Sequence, residues 1–509
     1  MGKSISPILL SRLSEFMAEQ MGLHFPRERW PDLERGICAA AREFNFDDME
    51  SCLQWLTSSH LQKSQVEILA SHLTVGETYF FREKRTFGIL EGHIFPELIR
   101  VRRETEKRLR LWSAGCATGE ESYSLAILLN KLLPDLKDWN ITILATDINP
   151  RFLQKASKGL YGNWSFRDTP LEIQERYFKR KKGGGFELLP EIKKMVTFSY
   201  LNLAEDTYPS LLNNTNAIDL IFCRNVLMYF APHRAKNVIL NLYRALVDGG
   251  WLVVSSAEAS HVLFSQFETV NFSGGIMYRK TESCKLKVAS FALPAFFSDF
   301  IPETLNPEPT IAKQEVSAAL LQDSPEPFPL EVEEPKESEL QSVRYEEALT
   351  LYQQGRYAEA AEKLLVLLFP AQQSSKVSSL LARVYADQGN LTDALKWCEE
   401  AILTDRLNVG LYYLRAIILQ EQGLEKEAIT SLKRALYLDQ NFVVAHFSLG
   451  TLAQQQGKLN QADKYFTNAL SLLRSYEQEE ILPESEGITA GRLKEIISGI
   501  RGQVPGISV

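Results

Sequence analysis

The sequence offers few residues for metal binding or disulfide bonding. Its six cysteines include no C-x-x-C pair and its seven histidines no H-E-x-x-H arrangement, the spacings that bring metal ligands together on one turn or one helix face. We therefore expect no metal site and no disulfide framework. Reduced thiols are typical of a cytoplasmic protein.

Long apolar runs and an excess of positive charge are also missing. No stretch approaches the ~20 apolar residues of a membrane helix, and Pro7 and Arg12 interrupt the apolar residues near the start, unlike a signal peptide. The net charge of −8 gives no general attraction to phosphate backbones. We expect no integral membrane segment, no nucleic-acid partner, and a protein or small molecule as substrate.

Periodicity along the 509 residues predicts several domains. Apolar residues recur at helical spacing from residue 8 to about 75, which predicts an all-α N-terminal domain. Between about 109 and 280, β-prone runs alternate with helical stretches, as in a Rossmann-like α/β domain with a parallel sheet. The predicted strands are Leu109–Trp112, Ile141–Ala145, Val196–Tyr200, Asp219–Cys223 and Trp251–Ser255.

Two segments depart from this alternation. Residues 157–195 contain the triplet Gly183–Gly185 between aromatic residues, which predicts a small inserted β lobe. Residues 283–340 are rich in proline and glutamate and predict a mostly disordered linker. The predicted domains are therefore 1–85 (helical), 86–282 (α/β), 283–340 (linker), 341–476 (repeats) and 477–509 (C-terminal helix and tail).

The clearest repeat in the sequence follows the linker. Gly355, Gly389, Gly423 and Gly457 are 34 residues apart, and an alanine stands five residues after each glycine. This period resembles that of tetratricopeptide repeats, which form an α-solenoid. The usual tryptophan and proline of the motif are missing. About four repeats are expected, with a concave groove between about 343 and 475 for an unknown protein or peptide.

Two features of the α/β segment indicate the chemistry of a ligand site. The turn 113–121 follows a predicted strand and contains two glycines, which let a ligand approach the backbone. Asp147 ends the next strand, where an acid accepts ribose hydroxyls. The turn lacks the G-x-G-x-x-G of a dinucleotide site and carries Glu120 and Glu121, which disfavour pyrophosphate but suit the ammonium and sulfonium of S-adenosylmethionine. A methyl donor therefore fits better than NAD.

Four runs, taken together, resemble the chemotaxis receptor methyltransferase (CheR) family over roughly residues 5 to 280. They are Val75–Glu83, Ser113–Tyr123, Ala145–Asn149 and Phe222–Phe230. The resemblance implies an S-adenosylmethionine-dependent protein-glutamate O-methyltransferase whose partner is a receptor cytoplasmic domain. By the same resemblance, Thr78, Arg82, Glu120, Asp147, Asn202, Leu203, Arg224 and Asn225 contact the methyl donor, and Arg82 and Tyr229 lie near the transferred methyl as catalytic residues. Gly76 departs from members with a polar side chain there.

Each assignment has a plainer alternative. Arg82 fits a guanidinium that orients the substrate carboxylate, but also a structural salt bridge. Tyr229 fits a packing aromatic, and Asn202 and Leu203 fit ordinary strand-end packing. The basic residues between Arg100 and Arg110, and those between Arg176 and Lys182, fit either a solvated surface or a docking site for an acidic receptor.

Other functions compete with this one. A related methyltransferase of a surface-attachment or second-messenger pathway would have the same sequence features. A scaffold that binds S-adenosylmethionine without catalysis, and acts through its repeats, is an alternative of another class. Methylation of RNA or of a small molecule is disfavoured by the acidity and by the lack of an N-P-P-Y-like motif.

Overall fold

The computed structural model describes residues 5–58, 61–204, 208–211, 213–281, 337–368, 374–485 and 487–502. Over these residues the chain forms N-terminal helices, an α/β core and a C-terminal helical array, which confirms the predicted fold class. Residues 283–336 of the predicted linker lie outside the described residues. None of the helices in the described ranges combines the length and the apolar character needed to span a membrane.

Helices alone form the N-terminal part of the protein. The first helix begins where the Ser6 side chain accepts a hydrogen bond from the N–H of Leu9, and it ends at Gly22, whose φ is +73°. Its apolar face, including Leu13 and Met17, is buried against the next helices. The helices of this part are α1 Pro7–Met21, α2 Trp30–Glu43, α3 Met49–Ser58 and α4 Lys63–Leu73. The next two helices, α5 Lys84–Ile89 and α6 Phe95–Arg103, pack against the α/β core.

A seven-stranded sheet forms the α/β core. Its strands are β1 Arg108–Ala114, β2 Asn140–Asp147, β6 Val196–Tyr200, β7 Ile218–Phe222, β8 Leu246–Val253, β9 Glu268–Phe272 and β10 Gly275–Arg279. Their order across the sheet is β6-β2-β1-β7-β8-β10-β9. All five predicted strands are present, and they pair in parallel. The fifth begins earlier than predicted, at Leu246, and the antiparallel pair β9–β10 at the sheet edge was not predicted. The helices of this core are α7 Glu120–Leu132, α8 Pro150–Lys158 and α11 Pro232–Ala245.

The inserted lobe is a separate three-stranded antiparallel sheet, in the order β3-β5-β4. Its aromatic side chains pack around Phe80, whose ring centroid lies 4.8 to 5.0 Å from those of Tyr161, Phe166 and Phe178. The lobe is therefore joined to the segment that precedes α5. Its elements are β3 Leu160–Tyr161, α9 Leu171–Tyr177, β4 Phe178–Arg180, β5 Phe186–Leu188 and α10 Pro190–Lys193.

Four antiparallel helix pairs and one further helix form the C-terminal array. Each predicted glycine lies in the turn inside one pair with φ between +72° and +78°, a conformation that glycine adopts without strain. The alanines five residues later are buried between the helices of each repeat. The helices are α12 Glu337–Gln353, α13 Tyr357–Leu367, α14 Ser375–Asp387, α15 Leu391–Thr404, α16 Val409–Glu421, α17 Glu425–Leu438, α18 Val443–Gln455, α19 Leu459–Leu472 and α20 Ala490–Gly502.

The repeats dock on the amino ends of the parallel strands. The carboxylate of Glu421, at the end of α16, lies 3.1 Å from Arg108 and 3.2 Å from Arg110, both on β1. It also accepts a hydrogen bond from Asn216, and its backbone carbonyl accepts one from Asn140 at the start of β2. The array therefore lies at the end of the sheet opposite the predicted ligand site.

This docking also fills part of the predicted concave groove. Leu211 of the α/β core belongs to the apolar core of the repeats. Ile417 and Phe447, on the first helices of the third and fourth repeats, line one cavity together with Arg108 and Asn140. That half of the groove therefore faces the protein's own α/β core.

The last helix reaches back to the N-terminal helices. The guanidinium of Arg492 on α20 lies 4.7 Å from the ring centroid of Tyr200, and the ammonium of Lys63 on α4 lies 4.4 Å from it. Two cations from opposite ends of the chain thus contact one aromatic ring at the end of β6. The repeat-containing part therefore contacts the α/β core at two places.

Candidate active site

A cleft opens at the carboxyl ends of the parallel strands, with about 740 Å³ of empty space including its open mouth. Its lining includes five of the predicted site residues: Asp147, Asn202, Leu203, Asn225 and Tyr229. They come from the ends of β2, β6 and β7, which lie side by side with β1 in the sheet, so parallel pairing brings them together.

The turn between β1 and α7 forms the floor of the cleft. Gly115 has φ of +79°, and a Cβ atom there would lie 2.4 Å from Val226. Gly119 has φ of +89°, and its Cβ would lie 2.8 Å from Ala156. Both positions therefore need glycine, for conformation and for space.

Asp147 is held rigidly beside this turn. One carboxylate oxygen accepts the N–H of Ala117 and the other accepts the N–H of Asn149, both at 2.8 Å. Burial raises the pKa of Asp147 to about 6, although these hydrogen bonds oppose the shift. The side chain is therefore fixed at the cleft wall, and its predicted contact with ribose hydroxyls stays a prediction.

The N-terminal helical domain supplies the opposite wall, which sequence reasoning missed. His24 and Arg29 line the cleft, and the backbone N–H of His24 donates to the carbonyl of Tyr229 at 2.7 Å. The Arg29 guanidinium lies 5.1 Å from the centroid of the Tyr229 ring. The ring of Tyr229 therefore packs at the junction of the two domains. No local pattern in the sequence could have indicated this contact.

Asn202 uses its amide within the protein. Its oxygen accepts the N–H of Ala204, and its nitrogen donates to the carbonyl of Gln20 on α1. The residue is 1% exposed. It thereby links the end of β6 to the N-terminal domain, while Leu203 contributes apolar surface to the cleft.

The other predicted residues lie outside the lining of this cleft, as the described residues form it: Thr78, Arg82, Glu120 and Arg224. Arg224 is buried and pairs with Glu83 at 3.1 Å and with Glu121 at 3.2 Å. It also donates to the backbone carbonyl of Arg82. Burial raises the pKa of Glu121, and the charge of Arg224 opposes this. Arg224 thus joins the segment before α5 to the start of α7.

Glu120 joins the same turn to the inserted lobe. Its carboxylate accepts hydrogen bonds from Thr118 at 2.6 Å and from Ser165 at 2.9 Å. Burial raises its pKa. Arg82 donates to the carbonyl of Glu77 at 3.0 Å. The predicted contacts of Thr78, Arg82, Glu120 and Arg224 with the methyl donor stay predictions.

Sequence reasoning also missed Glu258, in the loop that follows β8. Its carboxylate accepts the backbone N–H groups of Asn225, Val226 and Met228. The available signal was weak, since it consisted only of an acid a few residues after a predicted strand. The loop after β7 that these bonds hold contributes Asn225, Val226 and Tyr229 to the lining of the cleft.

The first basic cluster is used inside the protein. Arg108 and Arg110 bind Glu421 of the repeats, Arg102 pairs with Asp219, and Arg103 pairs with Asp135. For these four arginines the structure therefore favours internal ion pairing over receptor docking.

The cleft residues fit S-adenosylmethionine. Asp147 offers a fixed carboxylate at the end of β2, and the glycine turn leaves room for a ligand against the backbone. Leu203, Ile148 and Phe152 supply apolar surface beside it. One anchored carboxylate among apolar walls is suited to a nucleoside.

Comparison with protein families agrees with this site. Residues 76–275 match the family described as CheR methyltransferase, SAM binding domain. Tetratricopeptide-repeat families match residues 379–404, 409–442 and 443–474. The methyl donor of this domain is thus S-adenosylmethionine.

Relatives match this region, and the match to WspC extends into the repeats. Chemotaxis protein methyltransferase 1 of Pseudomonas aeruginosa is 35% identical over 218 residues, which are 42% of this chain and 77% of the relative. Chemotaxis protein methyltransferase 2 of Vibrio cholerae is 29% identical, over 54% of this chain and 93% of the relative. The probable biofilm formation methyltransferase WspC of P. aeruginosa is 26% identical, over 77% of this chain and 83% of the relative.

Among solved structures, a crystal structure of MamA is 19% identical and covers 27% of this chain and 81% of its own, with a TM-score of 0.26. The assignment of the repeats rests on the family matches and the helix pairs instead. The cleft, the family match and the relatives together show that the chain belongs to the CheR family of chemotaxis methyltransferases, with tetratricopeptide repeats at its C-terminal end.

Proposed function

We propose that the protein is a protein-glutamate O-methyltransferase that forms glutamyl methyl esters on the cytoplasmic domain of a chemotaxis-type receptor. The observation that carries this proposal is the cleft in which Asp147, Asn225 and Tyr229 meet at the ends of neighbouring strands. The names of the relatives support the class of reaction.

Glutamate methylation needs little acid–base help. A glutamate with an ordinary pKa of about 4.3 is already ionised near neutral pH and acts as the nucleophile without a general base. S-adenosylmethionine, when bound, supplies an activated methyl group on a sulfonium. The protein must then align the carboxylate and exclude water.

Two residues are suited to these two tasks, Arg82 from outside the cleft lining and Tyr229 from within it. We assign Arg82 to orienting the substrate carboxylate, because a guanidinium offers paired planar donors. Tyr229 lies at the junction of the cleft and the N-terminal domain, and we place it near the transferred methyl. Thr78, Glu120, Asp147, Asn202, Leu203, Arg224 and Asn225 complete the proposed contacts with the methyl donor.

The pathway has a second candidate, with the same chemistry. The match to WspC extends over 398 residues and so reaches beyond the methyltransferase domain into the repeats. This extent supports, as a second candidate, a receptor that controls surface attachment. We propose a cytoplasmic enzyme whose repeats bind a further signalling protein through a surface other than the half-groove that faces the α/β core.

The proposal is tested by transfer of labelled methyl from S-adenosylmethionine to purified receptor cytoplasmic fragments of both pathways. Mild alkali then releases methanol from a carboxyl ester but not from a methylated amine or amide. We expect alkali-labile label that disappears with Asp147→Ala. Alkali-stable label would contradict ester formation, and donor binding without transfer to any fragment would favour a scaffold.

The matched control is Asp135→Ala. Asp135 is also a carboxylate with ordered partners, since it pairs with Arg103 at 2.7 Å, but it lies before β2 and outside the cleft lining. It should retain methyl transfer. Loss of transfer in both variants would point to general destabilisation.

A further inference from the structure

Five hydrogen bonds converge on the carboxylate of Glu258, which is 8% exposed. One oxygen accepts the N–H groups of Val226 at 2.8 Å and Met228 at 3.2 Å. The other accepts the N–H groups of Asn225 at 2.7 Å and Ser255 at 3.1 Å, and the Ser255 hydroxyl at 2.6 Å. The two carboxylate oxygens of Glu258 thus bind three backbone N–H groups of the loop after β7, those of Asn225, Val226 and Met228.

The loop that Glu258 holds contains a residue with positive φ. Asn225 has φ of +57°, in the left-handed region, which asparagine tolerates better than most residues but less well than glycine. The next residue, Val226, packs against Gly115 so closely that a Cβ at Gly115 would lie 2.4 Å away. Such a conformation persists only where surrounding contacts stabilise it.

The same loop leads directly into the cleft. Asn225, Val226 and Tyr229 line it, and the carbonyl of Tyr229 accepts the N–H of His24 from the N-terminal domain. A displacement of this loop would therefore move Val226, which packs against Gly115 in the turn after β1, and the ring of Tyr229, which lies at the junction with the N-terminal domain.

We propose that Glu258 is a positioning residue, which holds Asn225–Tyr229 in the conformation that binds S-adenosylmethionine. The role requires a carboxylate, because every group directed at the side chain is a donor. A glutamine has nearly the same shape, but its NH₂ group would face N–H donors and leave some of them unpaired. Since the donor is assigned by the family match, this inference does not depend on the identity of the methyl acceptor.

The test compares Glu258→Gln with Glu97→Gln in the full chain. Glu97 accepts a hydrogen bond from Arg279 at 2.7 Å and lies on α6, away from the cleft. At a temperature where both variants are folded, Glu258→Gln should weaken S-adenosylmethionine binding at least about tenfold by calorimetry. Amide hydrogen exchange should accelerate in the segment 225–229. Glu97→Gln should change neither quantity.

A purely structural role would lower the melting temperature without changing donor affinity. Wild-type affinity in folded Glu258→Gln would therefore overturn the proposal. Should that variant fail to fold, Ser255→Ala removes only the hydroxyl bond to Glu258, and should weaken donor binding by a smaller factor, about two- to fivefold. Unchanged affinity in Ser255→Ala would then overturn the proposal.

Discussion

The carboxylate of Glu421 lies 3.1 Å from the guanidinium of Arg108, although the two residues are 313 positions apart in the chain. Arg110 shares the same carboxylate oxygen at 3.2 Å, and the three side chains are at most 6% exposed. Burial lowers the pKa of Arg110, and the charge of Glu421 opposes this. The repeats and the methyltransferase domain are therefore joined by a buried ion cluster at the end of the sheet opposite the cleft.

Glu421→Gln should weaken this junction strongly. The substitution removes the carboxylate that both buried guanidinium groups share and leaves Arg108, among the described residues, only its longer ion pair with Glu106, at 3.8 Å. Breaking a buried pair of this kind costs about 3–5 kcal/mol. We expect a lower denaturation midpoint but unchanged affinity for S-adenosylmethionine, because no described residue of the repeats lines the cleft. The control is Glu399→Gln, whose pair with Arg415 is exposed, so its loss should cost less than about 1 kcal/mol. Equal losses in the two variants would contradict a buried junction.

Two glycines of the repeats give a matched comparison of docking. Gly389 and Gly457 occupy equivalent turns with φ of +78° and +72°, but a Cβ at Gly389 would lie 2.7 Å from Arg108, whereas one at Gly457 would have no neighbour within 4 Å. Gly457→Ala should cost about 1–2 kcal/mol through backbone strain alone. Gly389→Ala should cost about 1–3 kcal/mol more through overpacking. Thermal unfolding measures the difference, and equal losses would show that the turn tolerates the added methyl.

Local features of the sequence predicted most of the fold. The repeat period and the alternating strands are encoded within short stretches, and Asp147 could be placed because it directly follows an apolar strand. The junction of Glu421 with Arg108 could not be predicted, since neither residue carries a local signal for the other.

The same distinction applies to the cleft. The strand ends supplied the predicted Asp147, Asn225 and Tyr229, whereas His24 and Arg29 enter from a domain that is distant in the sequence. Arg224 was predicted from the motif that contains it, but its buried ion pair with Glu121 depends on tertiary packing and has no local signal in the sequence. The antiparallel strands β9 and β10 are short and half-exposed, so their periodicity gave little indication.

Binding of S-adenosylmethionine should weaken at acidic pH, because the carboxylate of Asp147 becomes protonated. Burial raises its pKa to about 6, and we propose that the ionised form accepts the ribose hydroxyls. As the pH falls through this value, the ionised fraction and hence the affinity decrease, by about tenfold one pH unit below it. Calorimetric titration of S-adenosylmethionine across this range measures the effect.

Asp147→Asn is the control for this titration, because it removes the ionisable group and retains the side-chain shape. Its binding should be weaker than that of the wild type at neutral pH and nearly independent of pH across the same window. A wild-type pH dependence that survives in Asp147→Asn would assign the effect to another group, such as Glu120 or Glu121, whose pKa values burial also raises.

Tyr229→Phe separates a chemical role of the hydroxyl from packing of the ring. The phenyl ring should keep its contact with Arg29, whose guanidinium lies 5.1 Å from the ring centroid, and the backbone bond to His24 is unaffected. With donor affinity retained, loss of the hydroxyl should lower kcat about 10- to 100-fold through poorer alignment. The control is Tyr437→Phe, because Tyr437 lies on the exposed face of α17 beneath Arg434 at 5.2 Å and far from the cleft. Wild-type turnover in Tyr229→Phe would limit Tyr229 to packing between the domains, and the catalytic role would then rest on Arg82.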